Sequence, residues 1–412
     1  MNQGVRWRLS VMMFLQYVVW GMWAPVLAAY LQRPVSQEGL GFSGIEIGWV
    51  FALLPMGCMI APFFGGQLAD RTVATEKLLG VLHLLGGIFL CLLATVKSYN
   101  SFLLLMGAWS FVYAPTLALT NSLTFHHLPD AEKKFGLVRV FGTFGWIAAG
   151  LLLTSTRKIF PNGLPGLGGE DSLWIGGFAS FVLGLFCFAL PHTPPAKKGG
   201  SPWAFLGALK LLRDPSFLLF IIIAFVVSTE LQFYYVLTAP FLESIGVAKD
   251  NVPAVMTIAQ IAEIGTMLSL PWMLSKWGVR KTMALGIFTW PIRYAIFALG
   301  QPKPLVIAAL TLHGICYVCF FVVCYIYVNS VATPDIRASA QALITFVTLG
   351  VGMALGSVFS GFIKDYFTTG TGDAAVANYT KIFLVPCVLT IICALVFFIG
   401  FRDKRAESPA AA

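Results

Sequence analysis

Residues 191–216 read PHTPPAKKGGSPWAFLGALKLLRDPS, a Pro/Gly/Lys interruption in the middle of an otherwise apolar chain. Ser201 can cap a helix, Pro202 suits its first position, and Trp203, Phe205, Leu206, Leu209 and Leu212 alternate with Lys210 and Arg213. That spacing predicts a short amphipathic helix lying on a membrane surface. Outward from it in both directions run apolar stretches of about 20 residues, the length that crosses about 30 Å of hydrocarbon at 1.5 Å per residue. Twelve are predicted, six on each side: 8–31, 44–69, 77–96, 99–125, 135–155, 173–191, 216–240, 252–275, 280–299, 304–330, 337–363 and 381–401.

Composition agrees with that count. Of 412 residues, 58% are hydrophobic and 11% charged, with a mean hydropathy of +0.82, so charges are too sparse for an ordinary soluble surface. The expected fold is an all-α membrane protein of twelve transmembrane helices in two six-helix bundles. Residues 1–191 would form the N-terminal bundle, 192–215 a cytoplasmic linker, 216–401 the C-terminal bundle and 402–412 a cytoplasmic tail. Arg6 and Arg8 precede a first run rich in Trp and Gln with no small-residue cleavage site, which reads as a retained helix and not a removed signal.

Lys and Arg orient the chain. Segments on the side of the N-terminus hold 17 of them and the opposite side eight, so both termini are expected in the cytoplasm. The net charge of +9 then follows from topology. These charges form no basic stripe, and no nucleic-acid partner is expected. The eight cysteines all fall within predicted helices. Cys316 and Cys319 make a single CxxC whose only candidate neighbour is His313, so they read as packing residues, with no metal and no cofactor.

Charges inside spans carry the functional argument, because a charge at mid-bilayer costs several kcal/mol and faces a cavity or a partner. Four qualify: Arg139, Glu230, Glu263 and Arg293. In VRVFGTFGW (138–146), Arg139, Thr143 and Trp146 share one helix face, offering a guanidinium, a hydroxyl and an aromatic plane; the competing reading is that Arg139 snorkels toward Lys134. Glu263 has Gln260 at i−3 on its own face, and a carboxyl there suits a proton carrier. Gln232 and Tyr235 share a face from which Glu230 points away. Tyr317, Phe321 and Cys324 recur at i, i+4 and i+7, and Arg293, beside Pro291, reads as structural. These faces suit a ligand with an aromatic ring and several hydroxyl or amide groups; a nucleoside and a sugar both fit.

The two halves repeat. GGQLADR (65–71) follows the second run and LSKWGVRKT (274–282) the eighth, at equivalent turns. This pattern resembles the major facilitator superfamily. Gly66, Asp70 and Arg71 match its G-x-x-x-D-R loop; Lys276, Gly278, Arg280 and Lys281 match the second copy loosely, with no acid in the place of Asp70. Gly66 permits close packing, and Asp70 could accept hydrogen bonds from a neighbouring helix N-terminus, latching one conformational state.

Three longer blocks, 13–31, 138–150 and 337–356, are similar to the nucleoside:proton symporter family within that superfamily, and the similarity runs over nearly the whole chain. The resemblance implies Arg139, Thr143, Gln232, Gln260, Glu263, Tyr317 and Phe321 as nucleoside contacts. Trp146 and Tyr235 belong to the same expected site but depart from the family pattern, as does Val322, which stands where an aspartate is expected. The expectation is a monomeric transporter in the lipid bilayer, working by alternating access with a midplane site between bundles. It would move a nucleoside with protons, with Glu263 as the proton-coupling residue and Arg139 tuning it or bonding the substrate. The alternatives are a sugar or polyol transporter and a nucleoside facilitator without proton coupling. An enzyme has little support, since HHLPD (126–130) lacks a nucleophile and reads as the end of the fourth helix.

Overall fold

The protein is described by a computed structural model covering residues 3–61, 67–128, 131–195, 203–333, 336–370 and 372–402; within these, the side chains of Gln67, Asp70, 131–134, 204–205 and 373 are not described. Gly66 lies outside the described residues, as do linker residues 196–202 and tail residues 403–412.

The first half begins with α1 (Gln3–Trp23) and α2 (Leu27–Gln32), one predicted run divided where Pro25 removes a backbone donor. Then come α3 (Gly44–Ala61), α4 (Gln67–Arg71), α5 (Thr75–Thr95), α6 (Tyr99–His127), α7 (Ala131–Ile159) and α8 (Asp171–Cys187). The amphipathic stretch is helical as expected but wound as a 3₁₀ helix over Ala204–Arg213. The second half has α9 (Pro215–Ser244) and α10 (Val252–Leu299), a 48-residue helix interrupted at Gly278, where φ is +69° and ψ is 178°. A side chain would be strained at that φ, so the glycine lets two spans meet in a sharp corner. Next are α11 (Lys303–Ala309), α12 (Leu312–Cys316), a π-helix (Tyr317–Val322) and α13 (Val323–Val331), together one span. The next span joins α14 (Arg337–Thr345), a second π-helix (Phe346–Gly352) and α15 (Met353–Tyr366), and α16 (Tyr379–Gly400) ends the series.

Ten helical spans are long and apolar enough to cross a membrane by length and composition. One of them, α10, is two helices joined at Gly278, and the shorter apolar α8 brings the described crossings to the twelve expected. Large apolar side chains such as Leu104, Leu268 and Ile399 point outward and are three-quarters exposed, the opposite of a soluble protein's surface. Two two-residue strands, Thr368–Thr369 and Val376–Ala377, are the described exception to an all-helical chain. Asn378 accepts from the Lys381 backbone N–H at 3.1 Å, which gives it a capping role at α16.

The chain forms two compact units. Unit 1 is Met1–Pro202 with Tyr235–Thr257 and Ser357–Val376; unit 2 is Trp203–Tyr234 with Ile258–Gly356 and Ala377–Ala412. In unit 1, α1 lies directly against α7. A Cβ on Gly145 would stand 2.1 Å from the Phe14 carbonyl oxygen, so the two backbones approach as closely as they do only because the residue is glycine.

Candidate functional site

The close seam between α1 and α7 positions the first group of predicted residues. Arg139, Thr143 and Trp146 are half-buried on α7. The Arg139 guanidinium lies 4.2 Å from the centroid of the Tyr17 ring on α1, a cation–π contact that holds it inside the unit. Gly142 makes the contact possible, since a Cβ there would come within 2.7 Å of both the Tyr17 ring and the Arg139 Nη1. One turn on, Trp146 meets Trp20 edge to face at 5.4 Å, and Trp20 meets Tyr113 in the same way at 6.3 Å.

Behind these rings is a buried polar network. The Tyr113 hydroxyl donates to the Gln16 carbonyl at 2.8 Å, the Gln16 amide donates to Thr116 Oγ1 at 2.8 Å, and its oxygen lies 2.8 Å from His83 Nε2. Since an amide oxygen only accepts, His83 carries its proton on Nε2. The chain of bonds ties the helix that carries Tyr17 and Trp20 to α5 and α6.

In unit 2, Gln232 on α9 and Gln260 on α10 are buried, and Glu263 is half-buried one turn from Gln260. The Gln260 side-chain oxygen has no hydrogen-bond partner among the described residues, an unmet acceptor that a ligand donor would satisfy. Glu263 owes its place to Gly314 on α12. A Cβ on that glycine would stand 2.5 Å from the Ala262 carbonyl and 2.6 Å from the Glu263 nitrogen. The rings of Tyr317 and Phe321 are 5.4 Å apart and tilted. They lie in the π-helix, whose wider turn is frequent at functional sites and does not follow the i, i+4 spacing used to group them. Val322 ends that π-helix, half-buried and without a carboxyl. Tyr235 falls in unit 1, half-buried.

Two further predicted elements remain. Asp70 is in α4, its side chain outside the described residues, and Arg71 ends the same helix, exposed. Arg293, read as structural, lies in the core of unit 2. It is fully buried, with the rings of Trp290, Tyr234 and Tyr294 at 4.4, 4.8 and 5.1 Å, and its Nη1 donates to His313 Nδ1 at 3.0 Å. A guanidinium has no acceptor, so His313 Nδ1 is bare and the ring neutral. Sequence reading missed Tyr17, Tyr234 and the Arg293–His313 pair; the ring-rich run around Trp290 and Tyr294 was the signal available for the last.

A profile of the family described as nucleoside H+ symporter matches residues 3–406. The chain belongs to the nucleoside H+ symporter family. The putative nucleoside transporter YegT of Escherichia coli (strain K12) is 34% identical over 416 residues, covering 97% of this chain and 94% of its own length. The nucleoside permease NupG of the same organism is 28% identical, covering 98% and 97%. A crystal structure of nucleoside transporter NupG superposes with a TM-score of 0.84 at 27% identity, over 98% of this chain and all of that one. Membership makes this nucleoside H+ symporter homologue a multi-pass, all-α membrane transporter of the major facilitator type and not an enzyme.

Proposed function

We propose that the protein carries a nucleoside together with a proton across a bacterial inner membrane by alternating access, with both termini in the cytoplasm and one chain sufficing for transport. The observation that carries this reading is the family match over residues 3–406. In it, the nucleoside is contacted by Arg139, Thr143 and Trp146 on α7, by Gln232 and Tyr235 on α9, by Gln260 and Glu263 on α10, and by Tyr317 and Phe321. The unmet Gln260 oxygen takes an N–H or hydroxyl donor of the substrate. Tyr317 and Phe321 supply ring faces for the base. Glu263 gains and loses the transported proton, and because Val322 contributes no carboxyl, coupling rests on Glu263 alone within that set. Gly66, Asp70 and Arg71 latch one state of the cycle. The bundle limits 1–191 and 216–401, with 192–215 as linker, belong to the same proposal.

Competition tests the substrate class. Uptake of radiolabelled uridine and adenosine into proteoliposomes is expected to fall with excess unlabelled nucleoside and to ignore excess sugar. Inhibition by sugar but not by nucleoside would replace this reading with a sugar or polyol transporter.

A further inference from the structure

A second titratable cluster lies in unit 1, at the end of α7 away from residue 139. Gly150, Thr154 and Arg157 recur at i, i+4 and i+7 along one face of α7, and all three meet the segment 249–257. A Cβ on Gly150 would stand 2.6 Å from Thr257 Cγ2. Thr154 Oγ1 accepts from the Ala254 backbone N–H at 3.0 Å, and Arg157 Nη1 donates to the Lys249 carbonyl at 3.3 Å. The seam lined by Trp146, Gly150, Pro253, Met256 and Thr257 leaves a void of only about 10 Å³, far too small for a nucleoside.

What aims Arg157 is a pair of acids. Its Nε and Nη2 make a fork to Asp171 at 2.9 and 2.8 Å, and Nη2 also donates to Glu170. Arg157 and Glu170 are 8% and 6% exposed. The other charged or titratable groups facing the cluster are Tyr30 and Arg33 at the end of α2, with Arg33 3.4 Å from Glu243, and Asp250 beside Lys249. With Glu170 ionised, the buried cluster holds two carboxylates against one guanidinium. With Glu170 protonated, Arg157 and Asp171 balance, and the dock on 249–257 closes over a neutral site.

We propose that Glu170 is a proton-binding site in its own right, remote from Glu263, and that its occupancy controls the dock: protonated Glu170 keeps residues 249–257 on α7, and ionised Glu170 releases them. Burial pushes this carboxyl, which lies outside the spans, up to about 7, with Arg157 pulling it down and Asp171 pushing it up. The docked form therefore holds the proton more tightly than an opened, water-exposed form whose Glu titrates near its ordinary value of about 4.3. By linkage, docking is strongest below that value and weakens about tenfold per pH unit until about pH 7, where it levels off.

Hydrogen exchange of the full-length protein in nanodiscs reads the dock directly. After correction for intrinsic exchange, protection of the 252–257 amides is expected to fall by up to about fortyfold from pH 5 to 7. Glu170→Gln, which mimics the protonated acid, is expected to hold high protection at both values. Thr154→Val, which removes one docking bond and keeps the acids, is expected to lower protection throughout while keeping the pH dependence. Protection that ignores pH in the wild type, or the same pH dependence in Glu170→Gln, overturns the proposal. The readout needs neither nucleoside nor gradient, so its failure is distinct from failure of the transport assignment.

Discussion

Arg139 shows how a single side chain is placed by residues far from it in sequence. Its stack on Tyr17 is worth about 1 kcal/mol in a half-exposed setting. Tyr17→Leu frees the guanidinium to reorient, and uridine KM in proteoliposomes is expected to rise about fivefold with the protein still folded. Unchanged KM would show that Arg139 does not act from this position. Arg293 calls for a different expectation. It is enclosed by three rings and bonded to His313, so Arg293→Met leaves His313 Nδ1 without its donor while relieving a buried charge. The sequence made Arg139, Thr143 and Trp146 legible because helical spacing alone puts them on one face. It could not show Tyr17, which arrives from another helix, nor Tyr234 and His313, which reach Arg293 from α9 and α12.

At the scale of the element, glycines decide how near helices come. Gly145 faces the Phe14 carbonyl oxygen of α1, and a methyl group there must push α1 and α7 apart. Gly145→Ala is expected to cost about 1–3 kcal/mol, the usual toll of overpacking, read as a lower midpoint in thermal unfolding of the detergent-solubilised protein. Gly136, with open space around it, is the control, and Gly136→Ala is expected to leave the midpoint in place. Helix identity was legible from apolar runs of membrane length. The turn at Gly278 was legible too, since it falls between the runs 252–275 and 280–299; the π-helices Tyr317–Val322 and Phe346–Gly352 were not, because they follow i→i+5 bonds that hydropathy does not report. The i, i+4 grouping of Tyr317 with Phe321 assumed a regular α-helix; the rings do meet, at 5.4 Å, but through the wider turn.

For the whole molecule, composition and the apolar runs carried most of the reading, since the bilayer permits so few architectures. The number of crossings and the all-α membrane fold followed from runs of about 20 residues. The placement of 235–257 and 357–376 in the same compact unit as the first half did not, because it depends on side chains meeting across hundreds of residues, as Asp365 does when it accepts from the Gly44 and Ile45 backbone N–H groups at 2.5 and 2.8 Å. Asp365→Ala removes both acceptors at the start of α3 and is expected to lower nucleoside uptake while leaving the amount of protein in the membrane unchanged.

Proton coupling through Glu263 is the central claim, and uptake under an imposed gradient tests it most directly. Proteoliposomes are loaded at pH 7.5 and diluted into radiolabelled uridine or adenosine at pH 6 or pH 7.5. The wild type is expected to accumulate nucleoside above equilibrium only with the gradient, and Glu263→Gln to equilibrate nucleoside without accumulating it. Accumulation by Glu263→Gln equal to the wild type, or wild-type uptake indifferent to the gradient, would contradict proton symport through this residue.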